Sequence, residues 1–160
     1  MRSKMLKAGL GLALLASAAA SAAGEPVAAA SEAEVRNFIL EYNGYYAAND
    51  LDRYLASFDP TLTQWWPSGR VNLQTYNKMW RELVAKGGGT SKAVVSDLQV
   101  QVDPSGDAAV ATYILEVTPR KNGQPEATVE RNQETDVLFK RDGQWKIVHV
   151  NYGPAAPAKP

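Results

Sequence analysis

The chain of 160 residues contains no cysteine and one histidine. Disulfides and thiolate chemistry are therefore excluded, and one histidine without cysteine cannot fill the usual zinc ligand sets. Charge of neither sign dominates, since 17 basic residues face 17 acidic ones. A nucleic-acid surface needs a basic stripe, so no nucleic-acid partner is expected. Signatures of phosphate and serine chemistry are missing as well. Gly87-Gly88-Gly89 follows a helical pattern instead of opening one and reads as a cap and hinge. Ser68 beside Gly69 lacks the G-x-S-x-G setting of a nucleophile. Lys140, Arg141 and Lys146 read as a solvated end of the domain and not as an anion site. No cofactor is expected.

A long apolar run occurs only at the start. Arg2, Lys4 and Lys7 precede an apolar stretch over residues 8–16, and small residues including Ala20-Ser21-Ala22 follow. This is the pattern of a secretory signal over residues 1–22, cut before Ala23, and the run is too short for a stable membrane span. Losing those three basic residues leaves 14 against 17 acidic ones, or about −3. The mature protein is expected to be exported, periplasmic or secreted. Residues 23–30 read as a flexible lead-in and residues 153–160, GPAAPAKP, as a disordered tail. One domain over residues 31–152 remains, long enough for a core.

Within that domain Ser31 and Glu34 have the spacing of a capping box. Val35, Phe38, Ile39, Tyr42 and Tyr46 then recur at three- and four-residue steps as the apolar stripe of a helix. Asn49-Asp50 breaks it and caps a short second helix carrying Leu51, Tyr54 and Leu55, with Pro60 as its stop. Residues 61–66 predict a short strand, residues 72–86 a third helix, and residues 92–103 and 108–118 two half-buried strands. The last folded stretch is a β-hairpin. Its arms, residues 135–139 and 145–152, flank Asp142-Gly143, a pair suited to positive φ. This hairpin is expected at the centre of the sheet. The whole reads as an α+β domain, three N-terminal helices covering one face of a strongly curved, mixed or antiparallel sheet.

Alternation along the second arm places Trp145, Ile147, His149 and Asn151 on one face, and Lys146, Val148, Val150 and Tyr152 on the other. On the first arm Glu130, Asn132, Glu134 and Asp136 share a face opposite Arg131, Gln133, Thr135, Val137 and Phe139. His149 is the best single candidate for acid–base work, because its ordinary pKa lies near neutrality, with Glu134 or Asp136 to orient it across the ladder. The register is open, so either face of the first arm could oppose His149. A histidine with only a hydrogen-bonding role is the alternative.

Asp142, Gly143, Gln144, Trp145, Lys146, Ile147, Val148 and His149 form the hairpin pattern D-G-x-W-K-I-V-H. With the aromatic helices before it, this ending resembles the nuclear transport factor two-like superfamily, in particular its SnoaL-like and ketosteroid isomerase-like branches, over residues 31–152. The resemblance implies a cystatin-like cone with a pocket at its wide end, and a homodimer. For such a pocket the chain offers Tyr42, Tyr45, Tyr46, Trp65, Trp66, Tyr76, Trp80 and Tyr113 as ligand-binding candidates, unless they fill the core. Ketosteroid isomerase-like enzymes pair a helix tyrosine and a protonated strand aspartate with an aspartate base. Tyr42 or Tyr46 would stand for the tyrosine and Asp136 for the strand acid. Where that branch has its base, just before a proline, this chain has Trp66 before Pro67. Three functions follow: a binder of a small apolar or aromatic molecule with cofactor-free proton transfer, a non-catalytic homodimeric module, or an isomerase, dehydratase or cyclase.

Overall fold

The computed structural model describes residues 24–66 and 68–156. The leader expected over residues 1–22 and the last four residues of the tail lie outside the described residues. The chain forms α1 (Gly24–Ala48), α2 (Leu51–Ala56), β1 (Phe58–Trp66), β2 (Gly69–Asn72), α3 (Leu73–Ala85), β3 (Gly89–Val102), β4 (Ala108–Lys121), β5 (Gln124–Pro125), β6 (Glu130–Arg141) and β7 (Gln144–Pro154).

Several boundaries differ from the sequence-based expectation, each for a local reason. The helix α1 begins at Gly24 and not at Ser31, because Ala28, Ala29 and Ala30 continue it backward without loss of side-chain entropy. Ser31 is buried and donates to the Gly106 carbonyl at 3.0 Å instead of capping. Glu34 turns to the hairpin, accepting from Lys140 Nζ at 2.7 Å and Trp145 Nε1 at 3.0 Å. Pro60 does not end α2. Ser57 does, its amide reaching back to the Leu55 and Tyr54 carbonyls. Pro60 instead lies in β1, where the pairing with β7 shifts register between Phe58 and Thr63 and no ladder donor is needed. At the other end β7 runs through Pro154, and the Ala155 amide donates to the Arg131 carbonyl at 3.0 Å, so the strand extends into the expected tail.

The third helix has its expected limits. Asn72 caps it by accepting from the Thr75 amide at 2.9 Å, and Gly87 leaves it at φ +80°. The sheet order is β2-β1-β7-β6-β4-β3, with β5 on β4, so the β6–β7 hairpin is central as its apolar content predicts. Asp142 and Gly143 adopt φ 51° and 77°, the pair of positive angles of a tight hairpin turn. The sheet is mixed, because β1 runs parallel to β7 while the other pairs are antiparallel. All three helices lie on one face, where Val35, Ile39 and Tyr42 of α1 meet Leu115 of β4, Leu138 of β6 and Ile147 of β7 in the core. The result is an α+β cone.

One irregularity decides the site. Val137 pairs with His149 and Leu138 with Ile147, so Val148 is an extra residue in β7, a β-bulge. Before it Trp145 and Ile147 face the helices; after it Val150 does, paired with the inward Asp136. The strict alternation expected for β7 is broken. His149 and Asn151 therefore point to the outer face, away from Trp145 and Ile147.

Candidate functional site

A cavity of about 540 Å³ opens between the helices and the inner face of the sheet. Tyr42, Asn43 and Tyr46 enter it from α1, Tyr54 from α2, and Tyr76 and Trp80 from α3. The sheet contributes Phe58, Gln64, Trp66, Leu115, Glu134, Val150 and Tyr152, and exposed Met79, Glu82 and Leu83 of α3, with Lys86 just after it, border it. The helical spacing of α1 explains why Tyr42 and Tyr46 share a wall. In β1 the period of two carries Leu62, Gln64 and Trp66 to the same side.

The rings hold one another. Tyr54 stacks on Tyr42 with centroids 5.0 Å apart and meets Phe58 edge-on at 5.3 Å. Tyr76 lies edge-on to Trp66 at 5.8 Å and to Trp80 at 6.2 Å. Their hydroxyls form a chain, Tyr42 to Tyr54 at 3.3 Å and Tyr54 to Tyr76 at 2.6 Å. Burial raises the pKa of Tyr42, Tyr54 and Tyr76, and pushes that of Tyr46 up to about 12, so all four remain neutral phenols.

Two carboxyl groups sit on the inner face of β6. Glu134 pairs with Tyr113 of β4 and Tyr152 of β7, and Asp136 with Ala111 and Val150. Asp136 is fully buried; its Oδ2 accepts from the Tyr113 hydroxyl at 2.8 Å. Asn43 supports that tyrosine, with Nδ2 3.0 Å from the Ile39 carbonyl and 3.4 Å from the Tyr113 oxygen. Glu134 is 7% exposed and faces the cavity. Neither carboxyl has an ion-pair partner among the described residues. Burial pushes the Asp136 carboxyl up to about 7, and burial followed by the charge of Asp136 raises Glu134 well above the usual carboxylate range. Burial thus favours the protonated form of Glu134. Among the described residues no three metal-ligating side chains come together.

The structure separates the residues expected to act together. His149 is half-buried on the outer face, its Nδ1 2.8 Å from the Thr63 hydroxyl oxygen, and it neighbours Val137. Glu134 and Asp136 lie on the opposite face, so the expected dyad of His149 with either carboxyl does not form. The bulge at Val148 is the cause. Trp65 also points outward, 47% exposed, with the Arg70 guanidinium 4.9 Å from its ring centroid. Tyr45 is half-buried beside Arg53, whose guanidinium lies 4.8 Å from its ring centroid, and it does not line the cavity. Tyr113 and Asp136 lie under α1 behind Glu134, also outside the lining. Tyr42, Tyr46, Trp66, Tyr76 and Trp80 do converge on the cavity. Asn43, Tyr54, Phe58, Gln64 and Tyr152 line it too, beyond the residues expected from the sequence. For Gln64 the signal was present, an amide at the middle of the apolar alternation Leu62, Gln64, Trp66.

A cone of three helices on a curved mixed sheet, enclosing an aromatic cavity, defines an NTF2-like protein. More narrowly, the SnoaL-like domain family matches residues 35–157, and the chain belongs to it. An NTF2-like protein from Pseudomonas putida KT2440 superposes with a TM-score of 0.65 at 17% identity, over 82% of this chain and 98% of that one. A ketosteroid isomerase-like protein from Erwinia carotovora atroseptica SCRI1043 gives 0.63 at 16% identity, over 79% and 98%. The association domain of C. elegans CaMKII gives 0.61 at 16%, over 78% and 95%. At these identities the likeness shows the shared fold.

Proposed function

We propose that the protein is an exported SnoaL-like domain that binds a small apolar or aromatic molecule in the cone and offers it the proton of Glu134. The observation that carries this reading is a cavity of about 540 Å³, walled by aromatic rings, with a buried carboxyl of raised pKa on its sheet wall. Such a site removes apolar surface from water and orients the ligand through one polar point. Export is supported by the leader pattern over residues 1–22. Any chemistry here is cofactor-free proton donation by Glu134, as in acid-assisted isomerisation or dehydration. A ketosteroid isomerase-like reaction needs a base beside the ligand as well. Trp66, at the position where that branch carries its aspartate, instead donates to Gln64 Oε1 at 2.8 Å. Binding is therefore the stronger reading, and catalysis the weaker.

The test is a thermal-shift screen of the purified protein against flat ring compounds and small phenolics. A ligand at 100 times its Kd adds about 2.7 kcal/mol and raises the melting temperature. Trp66→Ala should abolish the shift, Glu134→Gln should keep binding but lose any turnover, and a broad library without a shift would sink the proposal.

A homodimer formed through the outer sheet face is a second reading. It is favoured by Trp65, Val94 and Phe139, large apolar side chains exposed on that face. Light scattering of the purified protein and of Trp65→Glu decides it, a mass of one chain in both counting against a dimer.

A further inference from the structure

Outside the cone, a second cavity of about 350 Å³ lies on the outer face of the sheet. Its lining includes Gln99 of β3, Thr112 of β4, Gln133 and Thr135 of β6, and Asn151 of β7. Gln99 pairs with Thr112, Thr112 with Thr135, Thr135 with Asn151, and Asn151 with Trp65 of β1. Neighbouring strands thus present one row of amides and hydroxyls that ends on an indole. Four strand spacings make the row roughly 19 Å long.

A bulge places each end of the cavity. In β3 Asp97 and Leu98 together oppose Tyr113, with Asp97 at φ 52°, and the extra residue turns Gln99 outward. In β7 the bulge at Val148 turns Asn151 outward together with His149. Beside Gln133 stands Gly153, where a Cβ would meet only open space, so the row has a hollow next to it.

The chemistry of the row is selective. On this face Asp97 is the charged side chain of the lining among the described residues, so an anion finds no cation and a nucleic acid no basic stripe. Amides and hydroxyls both donate and accept, which suits a ligand built of hydroxyl groups. Trp65 adds an apolar platform. The Arg70 guanidinium lies 4.9 Å from its ring centroid, yet the residue is 47% exposed. The C–H face of a sugar ring packs on such an indole while its rim of hydroxyls meets the polar row. A straight row fits an extended chain of sugars and not a coiled one.

We propose that the outer sheet face is a second binding site, taking a free, uncharged oligosaccharide of extended, cellulose-type linkage. One sugar stacks on Trp65, and those that follow lie along Asn151, Thr135, Thr112 and Gln99. The site is separate from the cone and does not depend on what the cone binds.

Titration calorimetry of the purified protein with cellotetraose, maltotetraose and glucose tests this. Cellotetraose should bind roughly tenfold more tightly than glucose, which covers only part of the row, and maltotetraose, which coils, should gain less. Trp65→Ala should weaken cellotetraose binding roughly tenfold and Asn151→Ala about fivefold. Both side chains are exposed, so the melting temperature should hardly move. In amide NMR spectra of the unmodified protein, cellotetraose should shift the signals of Gln99, Thr112, Thr135 and Asn151. Shifts confined to the cone, equal binding of the three sugars, or undiminished binding by Trp65→Ala would overturn the proposal. So would a protein that is dimeric through this face and does not bind cellotetraose.

Discussion

Tyr113 donates its hydroxyl to Asp136 at 2.8 Å, and both side chains are sealed beneath α1, behind the wall that Glu134 presents to the cavity. The inner carboxyl is thus held by a protein donor, and the outer one has no hydrogen bond among the described residues. Two acids of one strand, two residues apart, thus have different surroundings.

Tyr113→Phe removes that donor and leaves Asp136 with no hydrogen-bond partner, since Oδ1 has none already. A loss of about 1–3 kcal/mol in urea unfolding is expected. Adding Asp136→Leu to the same variant should return part of it, because an unmet buried acid is worse than an apolar group. A double variant weaker by the full sum of the single effects would contradict the assigned bond.

The same pair gives a pH dependence of definite sign. Both carboxyls have folded pKa values above the ordinary value near 4, so the folded state holds more protons than the unfolded one in that window. Their contribution is therefore fully present below about 4 and is lost as pH rises through about 7, where Asp136 titrates. Stability should decline by something on the order of 2–4 kcal/mol across that interval. Glu34, Asp59 and Asp103 act oppositely, since hydrogen bonds hold their pKa values down and their contribution disappears on acidification. Melting temperatures from pH 3 to pH 9 should peak on the acid side of neutrality. In Glu134→Gln/Asp136→Asn the decline above the peak should vanish.

His149→Ala removes one side-chain bond, to Thr63 on the outer face. The expected change in stability is within about 1 kcal/mol, with no effect on cavity ligands. Calorimetry on that variant showing a large loss of ligand affinity would restore a functional role for the histidine.

Gly89 has φ +129°, and a Cβ placed there would collide with Asn49 Oδ1. That oxygen accepts the Thr90 amide at 2.8 Å while Asn49 Nδ2 donates to the Thr90 carbonyl at 2.7 Å, a clamp joining the end of α1 to the start of β3. Gly89→Ala combines backbone strain with loss of the clamp and should cost about 2–4 kcal/mol in chemical denaturation. A variant as stable as the parent would show that the two segments are not locked together.

Much of the fold is legible in the chain itself, because it rests on local rules. The stripe of α1, the Asn72 cap of α3, and the Asp142-Gly143 turn each follow from spacing or from a residue's own conformational preference. The pocket aromatics of α1 and α3 were legible for the same reason: a helical face fixes which residues share a wall. Trp65 failed where Trp66 succeeded, although they are neighbours. Adjacent residues in a strand face opposite ways, and which one is inside depends on what covers the strand.

The sequence alone determined an α+β domain, its central hairpin, and a supply of tyrosine and tryptophan for one face. Tertiary structure decided the site. One inserted residue at Val148 reverses the alternation of β7, sending His149 out and Val150 in, and no local preference announces it. The parallel pairing of β1 with β7 brings Gln64 to the same wall as Glu134. That the pKa of Glu134 is raised is not a property of glutamate: the rings of α1, α2 and α3, remote in sequence, enclose it together with Asp136 and exclude water.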